Sequence, residues 1–171
     1  KKLGVLPQIH TAPSDFRVKE LVGYGRMPHQ KLMAGKSKED EEVIRWAMEV
    51  TGTWKFRDKS IYEISGGETQ RVWIATVLAQ KPEIMFLDEP TTYMDMAYEH
   101  AFLAMLDTMK RKNKKTLFVV MHNLNQAVRY ADCLAVLDGG KIVFHGPTEE
   151  GIQSGLLERV FSVRRYMAED K

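Results

Sequence analysis

A layered α/β domain built on a buried, mostly parallel sheet is the fold class this sequence predicts, and three observations predict it. Ile84-Met85-Phe86-Leu87 is a run of apolar residues without alternation, so a strand there is expected to be buried on both faces, as in a parallel sheet covered by helices. Thr116-Leu117-Phe118-Val119-Val120-Met121 is a second such run, rich in β-branched residues. Segments of helical periodicity precede and separate the two, and a helix-strand-helix-strand alternation is the pattern of layered α/β domains. The length of 171 residues, 44% of them hydrophobic and 28% charged, suits one globular domain with a real core.

Composition narrows the function classes. A net charge of +2 sets up no field that argues for nucleic acid, and Lys110-Arg111-Lys112 reads as a solvated helix end favoured by the macrodipole. The single cysteine, Cys133, rules out an intramolecular disulfide and fits a reducing compartment. No apolar run approaches the roughly 18 residues that would span a bilayer, and the first residues have no signal-peptide pattern. The opening Lys1-Lys2-Leu3-Gly4-Val5-Leu6-Pro7 enters a strand without lead-in, as expected of a fragment.

In chain order, Leu3, Val5 and Leu6 predict a short strand closed by Pro7, with Gln8 at its exit. Ser14 or Asp15 is expected to cap a helix over Phe16 to Val22 that Gly23 and Gly25 stop. Gly35-Lys36-Ser37 imitates the end of a phosphate-binding G-x-x-x-x-G-K-[ST] loop, but the first glycine position is Gln30 and no apolar strand precedes it. Ser37 reads instead as a helix cap with an acid at N3, followed by a packed face of Val43, Ile44, Ala47, Met48 and Val50.

Ile64-Ser65-Gly66-Gly67-Glu68 opens the next helix with a capping box from Ser65 to Glu68, and Lys81-Pro82 stops it. Two glycines in a first turn are poor choices for stability alone. They leave the N–H groups and the positive end of the dipole open to an anion such as phosphate. The central strand then ends in Asp88-Glu89-Pro90, bringing two acids to the edge where open α/β sheets bind ligands. Pro90 biases Glu89 toward an extended backbone.

A further helix over 97 to 112 carries Ala101, Phe102, Met105, Leu106 and Met109 on one stripe. The second apolar strand ends at His122, and a short helix follows over Leu124 to Ala131. Cys133 to Leu137 and Ile142 to Gly146 form a hairpin around Asp138-Gly139-Gly140-Lys141. A helical tail runs from Pro147 through Leu156, Leu157, Val160 and Phe161. His10, His29, His100 and His145 have no metal-ligand spacing.

Gln8, Asp88-Glu89, His122 and the glycine-exposed helix start at Ser65-Gly66-Gly67 together resemble the ATP-binding subunit of ABC transporters. Ile64 to Glu68 is similar to the signature usually written L-S-G-G-Q, Ile84 to Glu89 to the Walker B strand, and Tyr93-Met94-Asp95 to the D-loop. His122 looks like the switch histidine and Gln8 like the Q-loop glutamine, all in the family's order. Tyr24-Gly25-Arg26 with Pro28, Thr91-Thr92-Tyr93, and His122 to Ala127 followed by Arg129 to Asp132 resemble the importers of iron chelates, siderophores, haem and vitamin B12.

The resemblance implies a P-loop NTPase core with a mostly parallel sheet flanked by helices and an inserted α-helical subdomain, its N-terminal strands and phosphate loop missing. It divides the chain into residues 1–8 (end of a core strand and Q-loop), 9–64 (helical subdomain), 65–82 (signature motif and its helix) and 83–171 (the C-terminal part of the core). It implies ATP and Mg²⁺ as ligands. Asp88 and Gln8 would serve the metal, Glu89 the attacking water and His122 the γ-phosphate. Ser65, Gly66, Gly67, Glu68 and Asp95 would serve the nucleotide of a second, head-to-tail subunit. Transmembrane permease subunits would dock on the helical subdomain, a solute-binding protein would act indirectly, no nucleic acid is involved, and the place is the cytoplasmic face of the cell membrane. Glu68 departs from the signature's glutamine, and a carboxylate near a γ-phosphate is unfavourable unless it folds back onto Ser65; Asn123 stands where aspartate is common. Without a phosphate loop these residues alone are expected not to hydrolyse ATP. The competing expectation is a non-catalytic module that pairs with an intact subunit or docks on the transporter.

Overall fold

The computed structural model describes residues 2–8, 16–30 and 37–164, which fall into two compact units divided between Met121 and His122. Ser14 and Asp15, expected as caps, and the Gly35-Lys36 pair lie outside the described residues; the first helix, expected from Phe16, instead starts at Val18 with Arg17 at its N-cap.

In the first unit, β1 (Leu3–Leu6), β2 (Ile84–Asp88) and β3 (Thr116–Val120) form a parallel sheet in the order β1-β2-β3. The register pairs Leu6 with Leu87 and Asp88 with Val120, so all three strands end at one edge. Around α3 (Gly66–Ala79) pack α1 (Val18–Tyr24), α2 (Lys38–Val50) and β1. From Gln70 to Ala79 every residue of α3 but Trp73 is buried, as expected of a helix wrapped on several sides. The helix α4 (Met96–Asn113) packs on β3.

Four expectations are corrected here. Each strand run was expected to be buried on both faces, yet Met85 and Leu87 are buried while Ile84 and Phe86 are exposed. In β3 Phe118 and Val120 are exposed, and in β1 so are Leu3 and Val5. Within the first unit helices cover only one face of the sheet, and the pleat assigns alternate residues to the other. Phe86 and Phe118 stack on that open face with ring centres 6.2 Å apart. Gly23 does not stop α1: it is buried inside the helix, and Gly25 is the C-cap. The stripe of α4 is Phe102, Leu103, Leu106 and Met109, with Ala101 exposed, because the buried face lies one residue further round than the sequence pattern placed it. Similarly, Val50 at the end of α2 is exposed.

Caps form where local chemistry asks for them. Ser37 Oγ accepts from the Asp40 N–H, and Asp40 Oδ2 accepts from the Ser37 N–H at 3.0 Å. Asp40 also takes the Nε–H of Arg26 at 2.7 Å, and Arg26 Nη1 donates to the Ala79 carbonyl at 2.9 Å. Both side chains are buried, so this ion pair ties α2 to the turn after α1 and to the end of α3.

The second unit contains α5 (Leu124–Tyr130), the antiparallel hairpin of β4 (Cys133–Asp138) and β5 (Lys141–Pro147), α6 (Thr148–Gln153) and α7 (Leu156–Phe161). Gly139 and Gly140 both have positive φ, 53° and 75°, as a two-residue hairpin turn requires. The tail expected as one helix is broken at Ser154-Gly155 into α6 and α7. Its core is Leu134, Val136 and Leu157, with Leu124, Val128 and Phe144 packed against it. No helix among the described residues is long and apolar enough to cross a membrane.

Candidate functional site

The site is built at the C-terminal edge of the parallel sheet. Leu6 sits beside Leu87, so Gln8, two residues past Leu6, lies at the same edge as Asp88 and Glu89. Gln8 is exposed, and Asp88 and Glu89 are half-buried.

Glu89 is not extended as expected but has a left-handed backbone, φ 47°. The physical reason lies in the pleat: Met85 and Leu87 point to the helix-covered face, and an extended Glu89 would follow them, carrying a carboxylate into it. Its N–H still bonds the Val120 carbonyl at 3.1 Å, the last rung of the ladder, and its carbonyl accepts from the Thr92 N–H at 3.2 Å. Thr92 Oγ1 donates to Glu89 Oε2 at 3.3 Å. Tyr93 is a second positive-φ residue, at 72°. Such conformations cost about 1–3 kcal/mol each and persist where the surroundings over-determine them, often at functional sites.

Asp95 ends this segment as the N-cap of α4, with Oδ1 accepting from the Tyr98 N–H at 3.0 Å. At the start of α3, Ser65 and Glu68 form the expected capping box: Glu68 Oε2 accepts from the Ser65 N–H at 2.8 Å and from its hydroxyl at 2.9 Å. The Ser65 N–H holds the Glu68 carboxyl below its ordinary range, against the upward push of burial. Gly66 has open space where a side chain would stand, as an anion-facing turn requires. Gly67 has a different reason: a Cβ there would lie 2.6 Å from the Tyr93 carbonyl oxygen, so its glycine allows α3 to press on the strained segment.

His122 follows β3 by two residues and is the first residue of the second unit. Next to it Asn123 caps α5, its Oδ1 accepting from the Gln126 N–H at 3.3 Å, which preserves the cap without a charge.

Sequence reasoning missed Gln70, Arg71 and Thr92. Gln70 and Arg71 are buried, and Gln70 Nε2 donates to the Pro90 carbonyl at 3.2 Å. The signal was present: both are polar residues placed at positions three and four after Gly67, on the face that Gly67 opens.

Among the described residues there is no cluster of three or more His, Cys, Asp or Glu side chains. Asp88 and Gln8 nevertheless offer the oxygen donors that Mg²⁺ takes, and this ion is usually held by one or two carboxylates with phosphate and water completing its shell.

A family model described as ABC transporter matches residues 1–92, more than half of the chain. The chain belongs to the ABC transporter family. Over 99% of its length it is 44% identical to the ferric enterobactin transport ATP-binding protein FepC of Escherichia coli (strain K12), and 39% identical to the iron(3+)-hydroxamate import ATP-binding protein FhuC of Bacillus subtilis (strain 168). It spans 63% of the length of each of these curated relatives. The solved inward-facing structure of an ABC transporter of the metal-chelate type superposes with a TM-score of 0.83 at 25% identity, covering 94% of this chain and 64% of that one. The chain thus has part of the P-loop NTPase fold of ABC cassettes, with helices packed on its parallel sheet.

Proposed function

We propose that the chain is part of the ATP-binding, ATP-hydrolysing subunit of an importer for iron-siderophore or related metal chelates. The observation that supports this reading is the sheet edge: β1 and β2 run parallel with Leu6 beside Leu87, so the segments carrying Gln8 and Asp88-Glu89 leave the sheet at one edge, and Glu89 departs from the strand with a left-handed backbone. The names of FepC and FhuC supply the substrate class.

In this reading Glu89 orients the attacking water and accepts its proton as the oxygen attacks the γ-phosphorus, while the bond to the leaving ADP oxygen breaks. Thr92, donating to one carboxylate oxygen, restricts the rotamers of Glu89. Asp88 and Gln8 would hold Mg²⁺, which supplies charge neutralisation at the phosphates. His122 contacts the γ-phosphate by hydrogen bonding. The open tip of α3 at Ser65, Gly66 and Gly67, with Glu68 folded back and Asp95 nearby in sequence to Tyr93, serves the nucleotide of a second subunit arranged head-to-tail. Permease subunits dock on the helices between residues 9 and 64, at the cytoplasmic face of the membrane, with the solute-binding protein acting through them.

The test is steady-state ATPase activity of the complete reading frame with Glu89→Gln. Loss of a general base is worth about 10²–10⁴ in rate, so turnover should fall at least a hundredfold while Mg-ATP binding persists. Equal turnover in variant and wild type would end the assignment.

A further inference from the structure

Two non-glycine residues with positive φ, Glu89 and Tyr93, lie four positions apart in the segment that leaves β2 and enters α4. Besides its own turn bonds and the rung to Val120, this segment meets one face of α3, where Gly67, Gln70 and Arg71 stand at i, i+3 and i+4. Gly67 admits the Tyr93 carbonyl, which a Cβ would meet at 2.6 Å. Gln70, 5% exposed, donates to the carbonyl of Pro90, the residue directly after Glu89. The Arg71 guanidinium lies over the ring of Tyr98 at 3.9 Å from its centre, and the Tyr98 N–H is bonded to Asp95. Arg71 is 7% exposed and its Nε has no hydrogen-bond partner among the described residues. A helix required only to pack would place apolar side chains at 70 and 71, since an amide or guanidinium without partners is costly to bury. Instead, the amide of Gln70 is directed at the Glu89–Asp95 segment and the guanidinium of Arg71 at Tyr98, in the first turn of α4 that Asp95 caps.

We propose that Gln70 and Arg71 are positioning residues for hydrolysis: Gln70 ties the peptide after Glu89 to α3, and Arg71 ties Tyr98, and with it the turn that Asp95 caps, to the same helix. The inference rests on the function proposed above, under which Glu89 and the helix tip serve different nucleotides of the pair. The α3 contacts are then an intrachain link between the two. Displacement of the tip is carried through Gln70 to the peptide following Glu89, and through Arg71 and Tyr98 to the cap at Asp95.

The experiment compares Gln70→Leu, Gln70→Glu, Arg71→Met and Arg71→Lys with wild type in the full-length protein, with Glu89→Gln alongside. Misplacement by about 1 Å can cost a hundredfold in rate, so Gln70→Leu should lower kcat at least tenfold with the KM for ATP within about twofold. Gln70→Glu, which sets a carboxylate against the Pro90 carbonyl, should be lower still. Arg71→Lys keeps a cation over Tyr98 and should retain more activity than Arg71→Met. Hydrogen exchange on the 171-residue chain gives a readout besides activity: Gln70→Leu should speed exchange at residues 89–95 and leave α2 unchanged. Unchanged kcat in Gln70→Leu beside an inactive Glu89→Gln overturns the inference alone, as does faster exchange spread equally over α2. Full turnover in Glu89→Gln overturns the reading of the site and the inference with it.

Discussion

Replacing Arg26 with methionine tests what holds the helices of the first unit together. The side chains of Arg26 and Asp40 are 4% and 7% exposed, and the pair closes at 2.7 Å. Removing the guanidinium deletes that bond and the one to the Ala79 carbonyl, and leaves the carboxylate with only the Ser37 donors. Breaking a buried pair by removing one partner costs about 3–5 kcal/mol, because the other charge stays buried. Arg26→Met and Asp40→Leu should each fall in that range. The double variant should cost less than either, since an apolar replacement of a whole buried pair is often close to neutral. Urea unfolding followed by tryptophan fluorescence is the assay. Trp46, Trp54 and Trp73 are the three tryptophans of the chain and all lie in the first unit, so the signal reports that unit alone. A cost below about 1 kcal/mol for Arg26→Met, the level of an exposed pair, would refute the reasoning, as would a double variant equal to the sum of the singles.

Two further outcomes follow from the same residues and from the sheet. The hydrogen bond from Arg26, more than any other cause, holds the Asp40 carboxyl below its ordinary range. A depressed folded value means the stabilisation is complete above the unfolded value of about 3.9 and is lost as pH falls through the folded one. The stability gap between wild type and Arg26→Met should therefore be constant from about pH 5 to 7 and narrow below about pH 4, read from urea midpoints. On the sheet, Phe118→Thr on the open face should change stability by less than about 1 kcal/mol, whereas Leu87→Ala, fully buried, should cost about 2–5 kcal/mol. Equal costs in the 171-residue chain would restore the two-sided burial that the apolar runs suggested.

What could be read from the sequence divides along a physical line. Caps were legible because each is written in residues three apart: Ser37 with Asp40, and Ser65 with Glu68, form the bonds their spacing calls for. The strands and their shared exit edge were legible from apolar runs ending at Gln8 and Asp88-Glu89. Burial of the strand faces was not, because an unbroken apolar run states that both faces can be covered and says nothing of which one is. Arg26 was visible only as part of a family-like string. Its partner lies 14 residues away and its second acceptor 53, separations that no local pattern reports. The same holds for Gln70 and Pro90, 20 residues apart.

The backbone at Glu89 shows how the strand and the site depend on each other. A period of two along β2 assigns 85, 87 and 89 to one face, and that is the buried face. A strand that simply ran on would bury its second acid at a desolvation cost and remove it from the edge. Ending the strand one residue earlier would free the carboxylate but forfeit the bond from the Glu89 N–H to Val120 that keeps the residue in register with β3. Reversing φ at Glu89 keeps the rung and redirects the chain, at a conformational cost. Something must then hold the turn, and Gln70, buried in α3, reaches the following peptide. The acid at the sheet edge and the amide inside α3 are thus two parts of one solution to placing a charged group at the end of a buried strand.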